Sequence, residues 1–481
     1  MKTAKLLFVC FFFTLFSCDD FLNQEPDQQI SIDEQLSTKT GILEALNGIY
    51  RDIEATQSNI TLLYADLQGG NLTFTPALSN KTISVPTSFE NSYSFNDFEQ
   101  FSDYEGYYTE FYEIINQANI ILDRFNSYTF LSDNDKNQLQ AELLVCRAFA
   151  HYQLSLLYAQ NYGFTSDASH LGIVYNTTSL AIGEDFPSRK TMKETYDLLK
   201  IDLDTALSLF TDNNFFVAPN YALFNKITTK ALYAKIALQM NDWQQAFNYA
   251  NEVITTSGIM LTSKENYITE WEKEEDPISE IVLEFSAPRN DDNSVSSSIS
   301  QYFKYESDIN YGRYVASGDL LDLYDANDIR KDLFINKNLP TIVTGVEVSL
   351  PYYFTKKFQN DAGTTYIRLS ELYLIRAEAN ARTNKESDAL IDLNIFRERA
   401  GLSTLNTTAN ILDELFLERR KELAFESQLF FDLARFKKNL IRDKGCLATT
   451  CNLSYPSNFF VLPIPDSSID LNENIKQNEG Y

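Results

Sequence analysis

Between Tyr366 and Phe436 apolar residues recur at three- and four-residue steps in three separate runs. That spacing is the signature of helices that bury one face. The first run predicts a helix over about 366–383, with Leu369, Leu372, Tyr373 and Ile375 followed by Ala377, Ala379 and Ala381. The small residues let a neighbouring helix approach closely. The second places Leu390, Leu393 and Phe396 on one face, with Ser387 as its expected N-cap and Ala400-Gly401 as its stop. The third has Asp413 and Glu414 in its first turn and the stripe Leu412, Phe416, Leu423.

The same pattern runs through the first half. A helix is expected at about 39–56, with Leu43, Leu46, Ile49, Tyr50 and Ile53 on one side, and others at about 104–125 and 133–160. Ser132 with Asp135 reads as a capping box for the last of these, and Leu139, Leu143, Cys146, Ala150 and Leu157 form its buried face. Thr191 or a neighbour opens a helix that runs to about 210. A helix pair follows at about 222–240 and 242–257, turning at Asn241-Asp242. Trp243, Ala246, Phe247, Ala250 and Ile254 share its inner face, so Trp243 reads as repeat core. No strict 34-residue period is present, and these are degenerate repeats.

Two stretches break the helical pattern. Residues 57–103 hold Gly69-Gly70, Pro76, Pro86 and the run Phe89-Glu-Asn-Ser-Tyr-Ser-Phe-Asn-Asp-Phe. From 259 to 365 periodicity fades apart from a strand-like Glu280-Ile-Val-Leu-Glu-Phe, with Trp271 close to it and read as structural. Loops of this length inside a compact domain tend to carry function.

Arg419 and Glu426 fall on the third apolar stripe. A charge there needs a partner, which points to a buried ion-pair network; a catalytic carboxylate is the sharper alternative. The formal charge of −27 disfavours nucleic acid and anionic lipid surfaces and suits neutral or cationic ligands. With only two histidines, His151 and His170, there is little room for a histidine-rich zinc site or a Ser-His-Asp triad. No phosphate loop, dinucleotide fingerprint, His-Glu-x-x-His or Gly-x-Ser-x-Gly is present. No cofactor or metal is expected; the acidic loop Asp291-Asp292 can attract calcium but lacks an EF-hand pattern.

Residues 1–17 read as a secretory leader, with Lys2 and Lys5 before an apolar core from Leu6 to Phe16. Leu15-Phe16-Ser17-Cys18 resembles a bacterial lipobox, which would make Cys18 the lipidated first residue of the mature chain; the plainer reading is ordinary cleavage beside Cys18. Residues 18–38 then form a polar tether. Cys146 sits on a helical stripe as a core thiol. Cys446 and Cys451 flank Leu-Ala-Thr-Thr, and in an exported protein they can close a short disulfide if the geometry allows.

Several motifs carry a resemblance. Arg368-Leu-Ser-Glu-Leu-Tyr-Leu-Ile-Arg-Ala-Glu-Ala, Leu393-Asn-Ile-Phe-Arg-Glu-Arg-Ala-Gly and Glu418-Arg-Arg-Lys-Glu-Leu-Ala-Phe-Glu resemble the C-terminal signature of the SusD/RagB family. Cys18-Asp-Asp-Phe-Leu, Arg147-Ala-Phe-Ala-His-Tyr through Tyr162-Gly163, Val461-Leu-Pro-Ile-Pro-Asp and Gln477-Asn-Glu-Gly-Tyr481 match further family segments in order. Where the family often has Gly-His-Arg after Phe425-Glu426, this chain has Ser427, Gln428 and Leu429, so a contact made by that arginine is missing here. The resemblance implies a mainly α fold: a tetratricopeptide-like helical repeat scaffold with long irregular loops and minor β structure. Its parts would be 39–258, a loop-rich ligand-binding insertion at 259–365, and 366–481.

The resemblance also implies a role. The protein would be a lipid-anchored, surface-exposed outer-membrane lipoprotein that captures a glycan without catalysis. It would pass that glycan to a SusC-like TonB-dependent transporter. The acidic Asp19 and Asp20 resemble a surface-export signal in this family.

Sugar rings stack on aromatic faces while Asp, Asn and Arg bind their hydroxyls. The aromatic-rich segments 57–103 and 285–320 therefore supply the candidates: Phe89, Tyr93, Tyr302, Tyr311 and Tyr314 for stacking, Asp66, Asn71 and Arg313 as polar partners. The alternative for each aromatic is that it packs its loop onto the scaffold. Rival functions are the same lid role with peptide cargo, a helical glycoside hydrolase or lyase with two convergent carboxylates, and a scaffold with no small ligand.

Overall fold

The computed structural model describes residues 30–481 except 101, 182, 275, 291, 293, 361 and 362. The leader, Cys18, Asp291 and most of the expected tether lie outside the described residues. The chain divides into two units between Ala45 and Leu46. The described part of the first holds the turn Ile32–Gln35, where the Ser31 hydroxyl accepts from the Glu34 N–H at 3.1 Å, and the opening residues of the helix Lys39–Gln57. The rest of the description concerns Leu46–Tyr481.

Amphipathic periodicity becomes helix throughout this second unit. Helix α1 is Lys39–Gln57; its part from Leu46 on belongs to this unit, with Leu46, Ile49, Tyr50 and Ile53 buried. A short α2 (Tyr64–Gly69) follows, then α3 (Glu105–Asp123), α4 (Asp133–Tyr158) and α5 (Met192–Leu209). After these come α6 (Lys226–Gln239), α7 (Trp243–Thr256), α8 (Leu369–Arg382), α9 (Glu386–Arg399), α10 (Ile411–Glu422) and α11 (Leu429–Arg435). From α3 to α9 each helix packs on the next, and α10 packs back on α8 and α9. This chain of helical hairpins matches the mainly α repeat architecture expected from the sequence.

Local chemistry sets the helix ends. Ser132 caps α4, its hydroxyl accepting from the Asp135 N–H at 3.2 Å, and Thr191 with Glu194 forms a full capping box on α5. Ser387 does not cap α9. It lies inside the helix, whose N-cap is Lys385 with no side-chain bond. The buried face of α7 is Ala246, Ala250 and Val253, while Trp243 is half-buried beneath the Arg382 guanidinium at 5.2 Å.

The expected start of α8 at Tyr366 is corrected to Leu369. Thr364–Arg368 is a strand, β8, antiparallel to β2 (Ile281–Phe285). Its partner lies some eighty residues upstream in sequence, so helical periodicity downstream of it carries no trace of the pairing.

The insertion between α7 and α8 also holds β structure absent from the expectation: a hairpin of β6 (Phe334–Val343) and β7 (Val346–Thr355). Its two-residue turn needs positive φ at both positions, met by Thr344 (51°) and Gly345 (83°). Pro340 and Pro351 mask it in sequence, since proline inside a run argues against a strand. Both are tolerated because they occupy positions whose N–H would point off the ladder. Ile342, on the same edge as Pro340, sends its N–H outward to Lys81 O at 2.7 Å.

Arg419 and Glu426 belong to a buried seam of charge. Arg419 donates to Asp432 (3.0 Å), and Glu426 receives Lys357 (2.6 Å) and Arg368 (2.8 Å). Arg368 also meets Glu280 (2.5 Å) and Glu422 (2.8 Å), Arg399 bridges the same two, and Arg330 joins Asp328, Glu418 and Glu422. The seam therefore ties the strand pair β2–β8 to α9 and α10. Burial alone would raise the Glu422 carboxyl, but Arg399, Arg368, Arg330 and Lys357 outweigh it and hold it well below the usual range.

Candidate functional site

The two long aromatic segments meet at one small sheet. Strand β1 (Leu72–Phe74) pairs antiparallel with the fifth strand in the chain, β5 (Tyr314–Ala316), in the register Leu72↔Ala316, Thr73↔Val315, Phe74↔Tyr314. Between β2 and β5 lie β3 (Tyr305–Ser307) and β4 (Asn310–Tyr311), paired with each other. The pairing of β1 with β5 is extended at both ends. Thr75 N–H reaches Arg313 O at 3.0 Å, and Ser317 N–H reaches Asn71 O at 2.9 Å. Gly312 is required here, because a Cβ would lie 2.2 Å from the Tyr302 carbonyl oxygen.

Side chains alternate across this sheet. Tyr314 and Phe74 point into an aromatic cluster with ring centroids 5.7 Å apart; Tyr93 lies 5.0 Å from Phe74, and Phe89 5.9 Å from Tyr314. Phe89, Tyr93 and Tyr314 are each no more than 2% exposed. As folded, their faces are covered by protein and none is open to a sugar ring, so these three are corrected from stacking candidates to packing residues. For Tyr314 the physical reason is strand register; Phe89 and Tyr93 are turned inward by the short helical turns Thr87–Phe89 and Glu90–Tyr93.

Asp66 and Asn71 are likewise buried joints. Asp66 accepts from Asn71 Nδ2 (2.7 Å) and the Ser427 N–H (2.8 Å), while Asn71 Oδ1 accepts from Arg420 Nε (2.9 Å). Burial pushes the Asp66 carboxyl up to about 6, against the pull of those two donors. Tyr302, Tyr311 and Arg313 keep partial exposure. The Tyr302 hydroxyl donates to Asn59 Oδ1 (2.8 Å), Tyr311 to Pro76 O (3.1 Å), and Arg313 Nη2 to Ser84 O (2.9 Å). Burial lowers the Arg313 guanidinium from its ordinary value.

On the opposite face of the β1–β5 sheet lies a groove of about 330 Å³. Thr73 and Val315 form its floor, with Ala316 at its margin; Ile83 comes from the first segment, and Leu350, Pro351, Tyr352 and Tyr353 come from β7. Tyr352 is buried, its hydroxyl 2.9 Å from Thr341 Oγ1, and Tyr353 is half-buried. The remaining wall is the loop at Gly445 and Leu447, closed by a disulfide between Cys446 and Cys451 with Cα atoms 5.9 Å apart. Arg442 holds that loop in place. It donates to Thr450 O (2.6 Å) and Tyr93 O (3.0 Å), and its guanidinium lies 4.2 Å over the Tyr93 ring. Gly445 O accepts from Thr73 Oγ1 at 2.8 Å.

Sequence reasoning missed Tyr353, Leu447 and the hairpin that brings β7 to the groove. The available signal was the run Val346–Thr355 with its Thr344-Gly345 turn. Among the described residues, no group of three or more His, Cys, Asp or Glu side chains can hold a metal ion. The groove lining contains no carboxylate, and its surface is aliphatic, aromatic and hydroxyl-bearing.

Two family models match the chain: the SusD family over residues 336–481, and "Starch-binding associating with outer membrane", a SusD-like model, over residues 20–238. The chain belongs to the SusD family. A SusD-like protein, P25, of Formosa agariphila is 22% identical over the full length of both chains. The starch-binding protein SusD of Bacteroides thetaiotaomicron is 37% identical over 127 residues, covering 25% of this chain and 22% of its own. Solved SusD-type structures share the fold. A SusD superfamily protein from Bacteroides vulgatus superposes with a TM-score of 0.78 at 23% identity, covering 92% of this chain and 99% of its own. A SusD-like carbohydrate-binding protein from the same species gives 0.76 at 19% identity, covering 91% and 97%.

Proposed function

We propose that this SusD-family chain is a non-catalytic, lipid-anchored protein of the outer-membrane surface. It binds an oligosaccharide in the groove between the β1–β5 sheet and β7, and delivers it to a TonB-dependent transporter. The observation that carries the reading is the convergence of both aromatic-rich segments on one groove beside a rigid helical scaffold. Family membership supports the ligand class, since one matching model is described as starch-binding and one relative is named a starch-binding protein. The outer-membrane setting rests on that same description and on the Leu15-Phe16-Ser17-Cys18 sequence, with Cys18 as the lipidated residue. Tyr353 is the ring best placed to offer a face, with the disulfide loop as the opposite wall. Tyr302, Tyr311 and Arg313 lie outside the groove lining and serve as its outer supports.

The test is affinity electrophoresis of the purified protein through gels containing starch, laminarin, xylan or galactomannan. Wild type runs beside Tyr353→Ala and Tyr311→Ala, with reducing-sugar release assayed in parallel. Retardation by one polysaccharide, lost in Tyr353→Ala and retained in Tyr311→Ala without sugar release, is the expected result. Sugar release would overturn the non-catalytic role. One observation favours peptide cargo instead: the groove walls are largely apolar and border a hairpin whose edge N–H groups already make an outward bond at Ile342. Binding of peptides with no retardation by any glycan would decide for that reading.

A further inference from the structure

A second cleft, of about 670 Å³, shares no residue with the groove. It lies between the first turn of α6, the segment that follows α5, and the segment leading into β2. Its walls and its lining differ in kind.

The walls are locked. Asn225 caps α6, its Oδ1 accepting from the Ile227 and Thr228 N–H groups (2.9 and 3.1 Å). Its Nδ2 donates back to Asn220 O (2.7 Å), and the Phe224 N–H is held by the Tyr50 hydroxyl (3.1 Å). On the far side the Ser279 N–H is fixed by Glu270 Oε2 (2.7 Å), which also neutralises Lys273 (2.7 Å).

The lining is uncommitted. Among the described residues, Asp212, Asn214, Asn220, Tyr221, Lys226 and Asp276 make no side-chain hydrogen bond or ion pair with the protein. They present amides, a phenol, one cation and two carboxylates to one space. Such a set mixes donors and acceptors without a dominant charge, which matches an array of sugar hydroxyls and matches neither an apolar nor a polyanionic ligand. Tyr221, half-buried within the turn Asn220–Ala222 that opens the locked 220–225 segment, supplies the ring. Rigid backbone with unspent side chains is the preorganisation that lowers the entropic cost of binding.

We infer that this cleft is a second carbohydrate site, which takes another stretch of the same polysaccharide held in the groove. The inference rests on the glycan reading of the groove. Two sites on one polymer raise its apparent affinity without new contacts, provided the chain can span both.

The test is isothermal titration of wild type, Tyr221→Ala, Asn220→Ala and Tyr353→Ala. The probes are heptasaccharides of α-1,4-glucan, β-1,3-glucan, β-1,4-xylan and β-1,4-mannan, each paired with its parent polymer. With the sugar that binds, wild type takes two heptasaccharides per chain. Tyr221→Ala and the exposed Asn220→Ala each weaken one site at least tenfold, and Tyr353→Ala weakens the other. A stoichiometry of one, lost in Tyr353→Ala and untouched by both cleft variants, overturns the second site and leaves the groove reading standing. No binding of any probe by any variant overturns both.

Discussion

Glu422 on α10 and Glu142 on α4 are both buried in the same helical scaffold, and they are held in opposite electrostatic states. Glu422 is surrounded by Arg399, Arg368, Arg330 and Lys357 and stays ionised far into acid. Glu142 has no cation beside it. It accepts from the Tyr50 hydroxyl and from Gln138 Nε2, both at 2.8 Å, and burial pushes its carboxyl up to about 7. The first arrangement spends charge to lock elements distant in sequence into one geometry. The second merely tolerates a carboxyl that one buried turn of helix could not exclude. The seam therefore ties the C-terminal scaffold together, whereas the Glu142 pocket of α4 rests on apolar packing and neutral hydrogen bonds. The N-terminal helices carry a smaller buried pair of their own, Arg147 with Asp202 (2.5 Å), between α4 and α5.

The strongest way to break this contrast is Arg368→Met. It leaves Glu280, Glu422 and Glu426 short of a shared cation, and stranding buried charge typically costs about 3–5 kcal/mol. Urea unfolding at pH 7 checks it. A loss of only a few tenths would mean the seam is dispensable. The pH sign follows from the depressed carboxyls. The stabilisation from Glu422 and Glu280 is present above their unfolded values and is lost as pH falls through the folded ones. Wild type should lose stability in acid, and Arg368→Met should lose less of it.

Glu142→Gln should act in the other direction. With a folded value of about 7 against an ordinary 4.5, Glu142 contributes stability that is complete below about 4.5 and lost as pH rises through 7. The amide removes that dependence. The variant should match wild type near pH 4.5 and exceed it by about 3 kcal/mol at pH 8. The Tyr50 hydroxyl can turn to accept from the new amide, so the substitution strands no fixed donor. Equal destabilisation at both pH values would show that the hydrogen bonds, and not burial of charge, dominate the site.

This contrast also shows which parts of the molecule were legible in sequence. Helices announced themselves because their faces repeat within a few residues, and the caps Ser132 and Thr191 are local signals. Arg419 and Glu426 were recognisable as charges in need of partners. The partners were not recognisable: Glu426 pairs with Lys357 and Arg368, 69 and 58 residues away. The aromatic segments failed differently. Phe89, Tyr93 and Tyr314 look like ligand platforms in sequence because they are aromatic and lie outside the long helices, yet Tyr314 is turned inward by strand register and the other two by short helical turns, neither of which composition encodes. Tyr353 was passed over because Pro340 and Pro351 disguise its hairpin.

Asp66 gives the smallest and sharpest test, because it stands between the two cases and next to the groove. Like Glu142 it is buried without a cation hydrogen-bonded to it, and its carboxyl is raised from 3.8 to about 6, so its protonated form favours the folded state most below 3.8 and that advantage fades as pH rises through 6. Unlike Glu142, one of its donors is the Ser427 backbone N–H, which cannot turn. Asp66→Asn therefore relieves a buried charge at pH 8 but sets an amide N–H against a fixed donor. At pH 8 the relief is worth about 3 kcal/mol and the clash with the fixed donor about 2 kcal/mol, and the two oppose. Stability should stay within about 1 kcal/mol of wild type at pH 5 and at pH 8. A gain at pH 8 as large as that of Glu142→Gln would mean the fixed donor contributes nothing. A large loss at both pH values would mean that the Asp66–Asn71–Arg420 chain, rather than the β1–β5 pairing, holds the floor of the groove, and glycan retardation would fall with it.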